Sequence, residues 1–359
     1  MIDEYRDEVK ISPMHTKDDL RQMQALPLDL KIKLTERRIR DWVRKFGQSG
    51  VYVSFSGGKD STVLLHIVRN LYPDVEAVFV NTGLEYPEIQ KFVKTFDNVT
   101  ILRPRMRFDE VIKKYGYPVI GKEVAQAVHY ARQGSVWAKN YFNGLDGKGK
   151  PNEFKRSMYA KYKPIVDMDF KVSDKCCHNM KENPIDNYAK TVGKKPITAI
   201  MASESKKRET AWLSSGCNSF NSKRPMSKPM SFWTEQDVLL YIKKYNIPIA
   251  SVYGDIVYSE EPDQIRLEEY GLDGCGTERL QTTGCDRTGC IFCGFGCHLE
   301  KEPSRFQRLK ETHPRQYEYC LKGGEYDENG IWRPNKDGLG MKHVFDELNK
   351  IYGDGFIKY

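Results

Sequence analysis

Between residues 50 and 115 the sequence alternates short apolar runs with segments of helical period, and no other feature constrains the fold as strongly. GVYVSF at 50–55, EAVFV at 76–80 and VTIL at 99–102 are short, β-rich and apolar. Residues 61–71, 87–96 and 108–115 space their apolar side chains three to four apart, as a helix does. A β-α-β-α-β order predicts a parallel sheet with crossover helices, because parallel neighbours cannot be joined by a tight turn.

The pattern continues with interruptions. Residues 184–193 and 234–245 read as helices, the latter with Thr234 as N-cap, and 196–202 and 227–231 read as strands. Residues 1–47 read as helical, and after Pro248 the chain is irregular until about 303. Helices are expected at 304–321 and 341–352. The expected organisation is an N-terminal helical segment 1–47, a nucleotide-binding domain 48–303 and a helical appendage 304–359. The domain carries an insertion at about 120–170 and a cysteine cluster at 285–297. The fold class is α/β, a Rossmann-like parallel sheet with helices on both faces.

Charge is uneven. The 121–175 stretch holds eleven Lys and Arg against six Asp and Glu, with eight aromatic residues interleaved, which suits a phosphate-bearing partner such as a nucleic acid. Residues 253–284 are acidic. No apolar run is long enough to cross a bilayer, and the polar N-terminus shows no secretory signal, so a cytoplasmic protein without membrane contact is expected.

Between the first strand and its helix lies Ser54-Phe55-Ser56-Gly57-Gly58-Lys59-Asp60-Ser61. Glycines let backbone N–H groups approach a phosphate, and the helix N-terminus behind them favours an anion. Lys59 adds a positive charge, and Ser54, Ser56 and Ser61 can donate hydroxyl hydrogen bonds. The spacing is not that of a Walker A loop.

All nine cysteines lie beyond residue 175. Clustered cysteines in a chain of this size point to metal or redox chemistry more than to a disulfide framework. Cys176 and Cys177 are adjacent, while Cys285, Cys290, Cys293 and Cys297 fall within thirteen residues. The spacing suits an iron–sulfur cluster and leaves zinc open.

Together these strings resemble the phosphoadenosine phosphosulfate (PAPS) reductase family, within the PP-loop ATP pyrophosphatase superfamily. Six segments match in family order over roughly 45–300: SFSGGKDS, VNTGLEYPE, KCCHNMKENP, SESKKRETAW, PMSFWTEQDVLLYIKKYNIP and TGCIFC. The resemblance implies that residues 54–61 hold a nucleotide phosphate, that Asn81, Thr82 and Gly83 face the nucleotide, and that Glu204, Ser205 and Arg208 lie near a phosphate or sulfate. It gives Lys59, Asp60 and Arg208 the catalytic roles, with Mg²⁺ accompanying ATP. It also implies [4Fe–4S] ligation by Cys176, Cys177, Cys290 and Cys293, with Cys285 and Cys297 as alternative ligands or sulfur carriers. Two features depart from the reductase branch. Its phosphate loop usually lacks the lysine that stands here as Lys59, and its mobile tail bears a cysteine, whereas this chain ends in GDGFIKY.

Three functions follow. The first is an ATP-cleaving enzyme that adenylates a substrate for sulfur transfer, with nucleic acid as a candidate acceptor and a sulfur-donor protein as partner. The second is a sulfonucleotide reductase acting on adenylyl sulfate or PAPS with a thioredoxin-like partner. The third is a nucleotide- or nucleic-acid-binding module without turnover.

Overall fold

A computed structural model describes residues 14–259 and 279–359, so Cys275 and most of the acidic stretch lie outside the described residues. The described chain divides into two units. One comprises 14–79, 86–102 and 187–288, and the other 80–85, 103–186 and 289–359.

The first unit is built on a six-stranded sheet. Its spatial order is Val99–Leu102, Ala77–Val80, Val51–Ser54, Lys195–Ile197, Met226–Ser227, Asn218–Ser219. Val51–Ser54 pairs in parallel with Ala77–Val80 on one side and Lys195–Ile197 on the other, and only the last pair, 218–219 with 226–227, is antiparallel. Val51, Tyr52, Val53, Ala77, Val78 and Phe79 are all buried, as expected of inner parallel strands covered on both faces. The helices Lys59–Leu71 and Pro87–Val93 form the first two crossovers. The mostly parallel sheet flanked by helices agrees with the α/β class read from the alternation.

The helices Leu28–Phe46, Lys59–Leu71 and Glu235–Tyr245 pack on one another. A buried ion pair joins the outer two, Lys31 Nζ to Asp237 Oδ2 at 2.6 Å, and Trp233 Nε1 donates to Thr35 Oγ1 at 2.9 Å. Asp237 also accepts from the Thr234 backbone N–H, completing the N-cap expected at Thr234. The strand expected at 227–231 stops at Ser227, and Pro229, which has no N–H to give a ladder, follows it. The strand expected at 196–202 spans only Lys195–Ile197, and Ile197 is its last residue paired with a neighbour. Within the irregular stretch, Ile256–Tyr258 and Leu280–Thr282 form a short antiparallel pair.

The second unit holds the helices Phe108–Tyr115, Lys122–Arg132, Val136–Phe142 and Glu153–Tyr159. Val119–Ile120 pairs in parallel with Gly294–Phe295. The helix expected at 304–321 is two, Arg305–Thr312 and Pro314–Leu321, because Pro314 cannot continue a helix but is well suited to begin one. These helices and Met341–Tyr352 bury Phe306, Leu309, Val344, Phe345 and Leu348. A helical turn at Lys175–Cys177 passes through a π segment, His178–Glu182, into the helix Asn183–Val192. Among the described residues no helix is long and apolar enough to cross a membrane.

Candidate functional site

Sheet topology places the phosphate-type loop. The chain leaves Val51–Ser54 for the strand on one side and later returns to the strand on the other, so the carboxyl end of Val51–Ser54 is a topological switch point, where open α/β sheets bind ligands. Residues 55–58 connect that end to the N-terminus of the Lys59–Leu71 helix.

Gly57 has φ +72°, and a Cβ there would stand 2.7 Å from Val93 Cγ2 and 2.8 Å from Ile89 Cγ2, so both conformation and space demand glycine. The loop is stitched by its hydroxyls. The Ser56 N–H donates to Ser61 Oγ at 3.2 Å, Ser61 Oγ donates to the Gly58 carbonyl at 2.9 Å, and the Gly58 N–H donates to Ser56 Oγ at 3.3 Å. Phe55 packs into the core. It is buried, its ring stands edge-on to Phe96, and its N–H donates to the Val78 carbonyl. Ser54 ends the strand, half-buried.

Lys59 is the centre of the first unit's polar chemistry. It is 2% exposed, and its Nζ donates to the Asp286 carbonyl at 2.7 Å and pairs with Glu235 Oε1 at 2.9 Å and Asp60 Oδ1 at 3.9 Å. Burial disfavours the ammonium, but the Asp60 and Glu235 carboxylates outweigh it and hold the lysine pKa above its ordinary value. The Lys59 N–H donates to the Tyr253 hydroxyl at 3.1 Å, which in turn lies 2.6 Å from Thr288 Oγ1. Burial raises the Asp60 carboxyl above the usual range; Lys59 pulls it down and Glu235 pushes it up. Among the described residues Asp60 Oδ1 is buried and accepts no hydrogen bond. A buried carboxylate oxygen without a donor suits a divalent cation.

Arg208 is brought into the same field. Burial lowers its pKa, and Arg287 and Asp60 both act on it. Its guanidinium pairs with Glu204, and its backbone N–H donates to Ser205 Oγ at 3.3 Å, making Ser205 the N-cap of the helix Lys206–Ser215. Phosphate loop, Glu204, Ser205 and Arg208 all belong to the first unit. Sequence reasoning missed Glu235, Tyr253, Arg287 and Thr288. The last two stand in the run TTGCDRTGC, where the cysteines drew attention away from an arginine in a glycine-bearing loop.

Asn81, Thr82 and Gly83 belong to the second unit, in the turn after Ala77–Val80. Their polar groups serve that turn. Asn81 Oδ1 accepts from the Gly83 N–H at 3.0 Å, and Thr82 Oγ1 donates to Glu85 Oε1 at 2.7 Å. The turn lines a cavity of about 340 Å³.

A second, apolar pocket in this unit is lined by Cys176, Cys177, Cys290 and Cys293 with Leu84, Phe108, Pro118, Met180 and Lys181. The π segment follows directly on the cysteine pair; such irregularities recur at functional sites. The Cys176 thiol donates to Cys177, which raises the Cys176 pKa and, with Lys122 and Lys181 and against burial, holds that of Cys177 below the ordinary thiol value. Burial raises Cys290, against Lys181, and pushes Cys293 up to about 11. Lys181 would lose its charge to burial, but Cys290 and Glu85 keep its pKa above the ordinary value. The two alternative cysteines are not among the residues lining this pocket. Cys285 belongs to the first unit, and Cys297 is buried with its Sγ donating to the Gly294 carbonyl at 3.0 Å. Among the described residues no three His, Cys, Asp or Glu side chains are disposed to hold a single metal ion. The donor set nevertheless fits a cluster in kind. Four thiolates around [4Fe–4S] leave roughly two net negative charges, and Lys122 and Lys181 supply two positive ones.

The chain matches the family model described as phosphoadenosine phosphosulfate reductase domain over residues 50–133 and 136–294. It is 29% identical over 127 residues to an uncharacterised protein of Methanocaldococcus jannaschii, covering 31% of each chain. It is 28% identical over 133 residues to a phosphoadenosine 5′-phosphosulfate reductase of Xylella fastidiosa, covering 37% of this chain and 48% of that one. The matches thus span 31% and 48% of the length of these relatives. Among solved structures, the phosphoadenylyl-sulfate reductase of Candida auris in its phosphate complex aligns with 69% of this chain and 96% of its own at 15% identity, with a TM-score of 0.36.

Proposed function

The chain belongs to the phosphoadenosine phosphosulfate reductase domain family, and from that premise we propose that it cleaves ATP between the α and β phosphates to adenylate a substrate for sulfur transfer. One observation carries this reading. A buried, firmly charged Lys59 stands at the head of a helix at the sheet's switch point, beside a carboxylate oxygen with no donor. That combination suits a pyrophosphate leaving group with an accompanying cation.

Glu235 Oε1 holds the place against Lys59 Nζ that a phosphate oxygen would take, and its partly exposed carboxylate can swing aside. Lys59 then neutralises charge that develops as the α–β bond breaks. The Gly57 N–H, without a partner among the described residues, and the helix N-terminus add donors. Arg208 and Arg287 add positive charge that acts on Asp60. Mg²⁺ arriving with ATP would take Asp60 Oδ1 as a ligand and screen the phosphates from one another. An acceptor oxygen attacks the α-phosphorus, pyrophosphate leaves, and the adenylated acceptor is open to a sulfur nucleophile with AMP as leaving group.

Cys176, Cys177, Cys290 and Cys293 would hold a [4Fe–4S] cluster, which would supply redox capacity; zinc is the alternative in the same thiolates. A nucleic acid as acceptor is supported by the basic, aromatic 121–175 stretch, where Lys155 lies 3.8 Å over the Tyr141 ring and Lys139, Lys148, Lys150 and Arg156 are exposed.

Reduction of an adenylyl sulfonucleotide is the second reading, favoured by the cysteine pair and by the name of the Xylella relative. Against it stands the last cysteine among the described residues, which is closed to solvent. Cys320 is fully buried, with its thiol donating to Met341 Sδ at 3.4 Å. Anaerobically purified protein incubated with Mg-ATP is expected to release AMP and pyrophosphate, most strongly with an acceptor present. Sulfite release from PAPS with thioredoxin, without ATP cleavage, would replace the first reading by the second.

A further inference from the structure

Residues 136–163 carry most of the protein's net charge. They hold seven Lys and Arg against Asp146 and Glu153, an excess of five, where the whole chain carries +8. The stretch folds as one lobe of the second unit, in which the helices Val136–Phe142 and Glu153–Tyr159 and the 3₁₀ segment Ala160–Asp167 pack on one another. A Cβ at Gly144 would stand 3.1 Å from Arg156 Cβ, and one at Gly147 3.6 Å from Trp137 Cβ, so the connecting loop lies against both helices. The two acids are committed locally. Asp146 Oδ1 accepts the N–H groups of Lys148 and Lys150, each at 2.9 Å, and so fixes the loop that displays both lysines to solvent. Glu153 meets Arg156 at 3.5 Å with both side chains exposed, a pair worth little. Lys139 is exposed on the first of the two helices.

Rings run through the same lobe. Tyr130 meets Trp137 at 5.6 Å, Trp137 meets Tyr141 at 5.0 Å, and Tyr141 meets Tyr159 at 5.1 Å. Tyr130, Trp137 and Tyr141 are half-exposed. Lysines are seated on this run. Lys155 Nζ stands 3.8 Å from the Tyr141 ring centre and 5.1 Å from that of Tyr159, and Lys175 Nζ donates to the Tyr130 hydroxyl at 3.0 Å. Beside Lys155, Phe154 is 64% exposed. A surface that binds a strand without reading its sequence combines cations that track the phosphates with a ring on which a base stacks. A duplex keeps its base faces inside its own stack and offers none to Phe154.

We propose that this lobe binds a single-stranded nucleic acid, with Lys139, Lys148, Lys150 and Arg156 meeting phosphates and Phe154 stacking a base. It uses phosphates and base faces, which every strand has, so the binding is tolerant of sequence. The proposal goes beyond the ATP-cleaving reading: it stands whether or not the first unit turns over, and it gives the strand no place in that reaction.

Fluorescence anisotropy of end-labelled dodecathymidylate with the full chain tests it, with saturating α,β-methylene-ATP present to occupy the phosphate loop. Saturable binding is expected. Four phosphates neutralised on a single strand give a slope of log K against log salt of about −3. Lys148→Ala with Lys150→Ala is expected to make that slope shallower by about 1.4. Phe154→Ala is expected to weaken binding about fivefold or more and to leave the slope as it is. All three side chains are exposed, so both variants are expected to melt as wild type does. The duplex with dodecaadenylate is expected to bind several-fold more weakly than the strand. Absence of binding overturns the proposal, as does wild-type affinity in both variants. A duplex bound as tightly as the strand, or phosphatidylserine vesicles that displace the strand from the wild type and equally from Phe154→Ala, would also overturn it, because the rings would then play no part. Protein that releases pyrophosphate from ATP but binds no strand refutes the surface alone. Protein that binds the strand but never releases pyrophosphate refutes the reaction alone.

Discussion

Replacing Lys59 by methionine keeps the apolar stem and removes the charge, and the structure says what that removes. Nζ meets the Asp286 carbonyl at 2.7 Å, Glu235 at 2.9 Å and Asp60 at 3.9 Å. Breaking a fully buried pair costs about 3–5 kcal/mol. Here the Glu235 side chain is 46% exposed and returns to water, so its share is below about 1 kcal/mol. The bare Asp286 carbonyl and a stranded Asp60 account for about 1–2 kcal/mol more. The expected loss of stability is therefore about 1–3 kcal/mol by urea denaturation. Turnover, followed as pyrophosphate release, is expected to fall by about 10²–10³, the usual effect of deleting one group that stabilises developing charge. A second change separates the two effects. Asp60→Asn added to Lys59→Met removes the stranded charge and is expected to recover roughly half of the lost stability without recovering activity. A Lys59→Met protein that kept more than roughly a third of wild-type turnover would refute the assignment of Lys59 to the leaving group.

Three further outcomes are expected. Gly57→Ala forces a positive φ on alanine and drives its Cβ to 2.7 Å from Val93, so about 2–4 kcal/mol of stability is lost. Gly58→Ala meets only hydroxyls at 3.1–3.4 Å and costs less, so equal effects on the two melting curves would contradict the loop geometry. Glu76 accepts hydrogen bonds from Lys194 at 2.6 Å, Tyr188 at 2.6 Å and Thr100. Burial works against its ionisation, but those bonds, Lys194 first, hold its pKa below the ordinary carboxylate value. A depressed acid stabilises the fold above its unfolded pKa and releases that stability as pH falls through the folded pKa. Glu76→Gln should cost about 1–2 kcal/mol near pH 7 and flatten the loss of stability on acidification below about pH 4.5, as read from denaturation midpoints across pH. For the cysteines, alanine at Cys176, Cys177, Cys290 or Cys293 is expected to abolish bound iron and absorbance near ~400 nm, while Cys285→Ala and Cys297→Ala keep both. Colour lost only on changing Cys285 and Cys297 would transfer the ligand set to the local four, and colourless protein carrying zinc would exclude the cluster.

Much of the first unit was legible because its signals are local. Short apolar runs, a glycine pair before a helix and a threonine N-cap report on neighbours only a few residues away. The strand at 99–102 falls where the periodicity puts it, as does the helix at 108–115 in the second unit. The strands at 196–202 and 227–231 were overextended because strand length depends on the partner's length and on where its pairing stops, as it does before Pro229. The single helix at 304–321 failed at Pro314, a local signal that the apolar spacing on either side obscured.

The sequence by itself determined the α/β class, the position of the phosphate-type loop and the cysteines as the chemical resource, because each depends on residue type at short spacing. Tertiary structure decided the rest. It set Glu235, Tyr253 and Asp286 around Lys59, contacts separated by up to 227 residues in the chain. It gathered Cys176, Cys177, Cys290 and Cys293 around one pocket. It also brought Tyr319 of a C-terminal helix and Leu339 into the wall of a cavity that shares Leu84 and Phe108 with that pocket. The physical reason is the same in each case. Charge, burial and cavity shape arise from groups that meet only when the chain has folded, and no local pattern specifies which of several distant residues will do so.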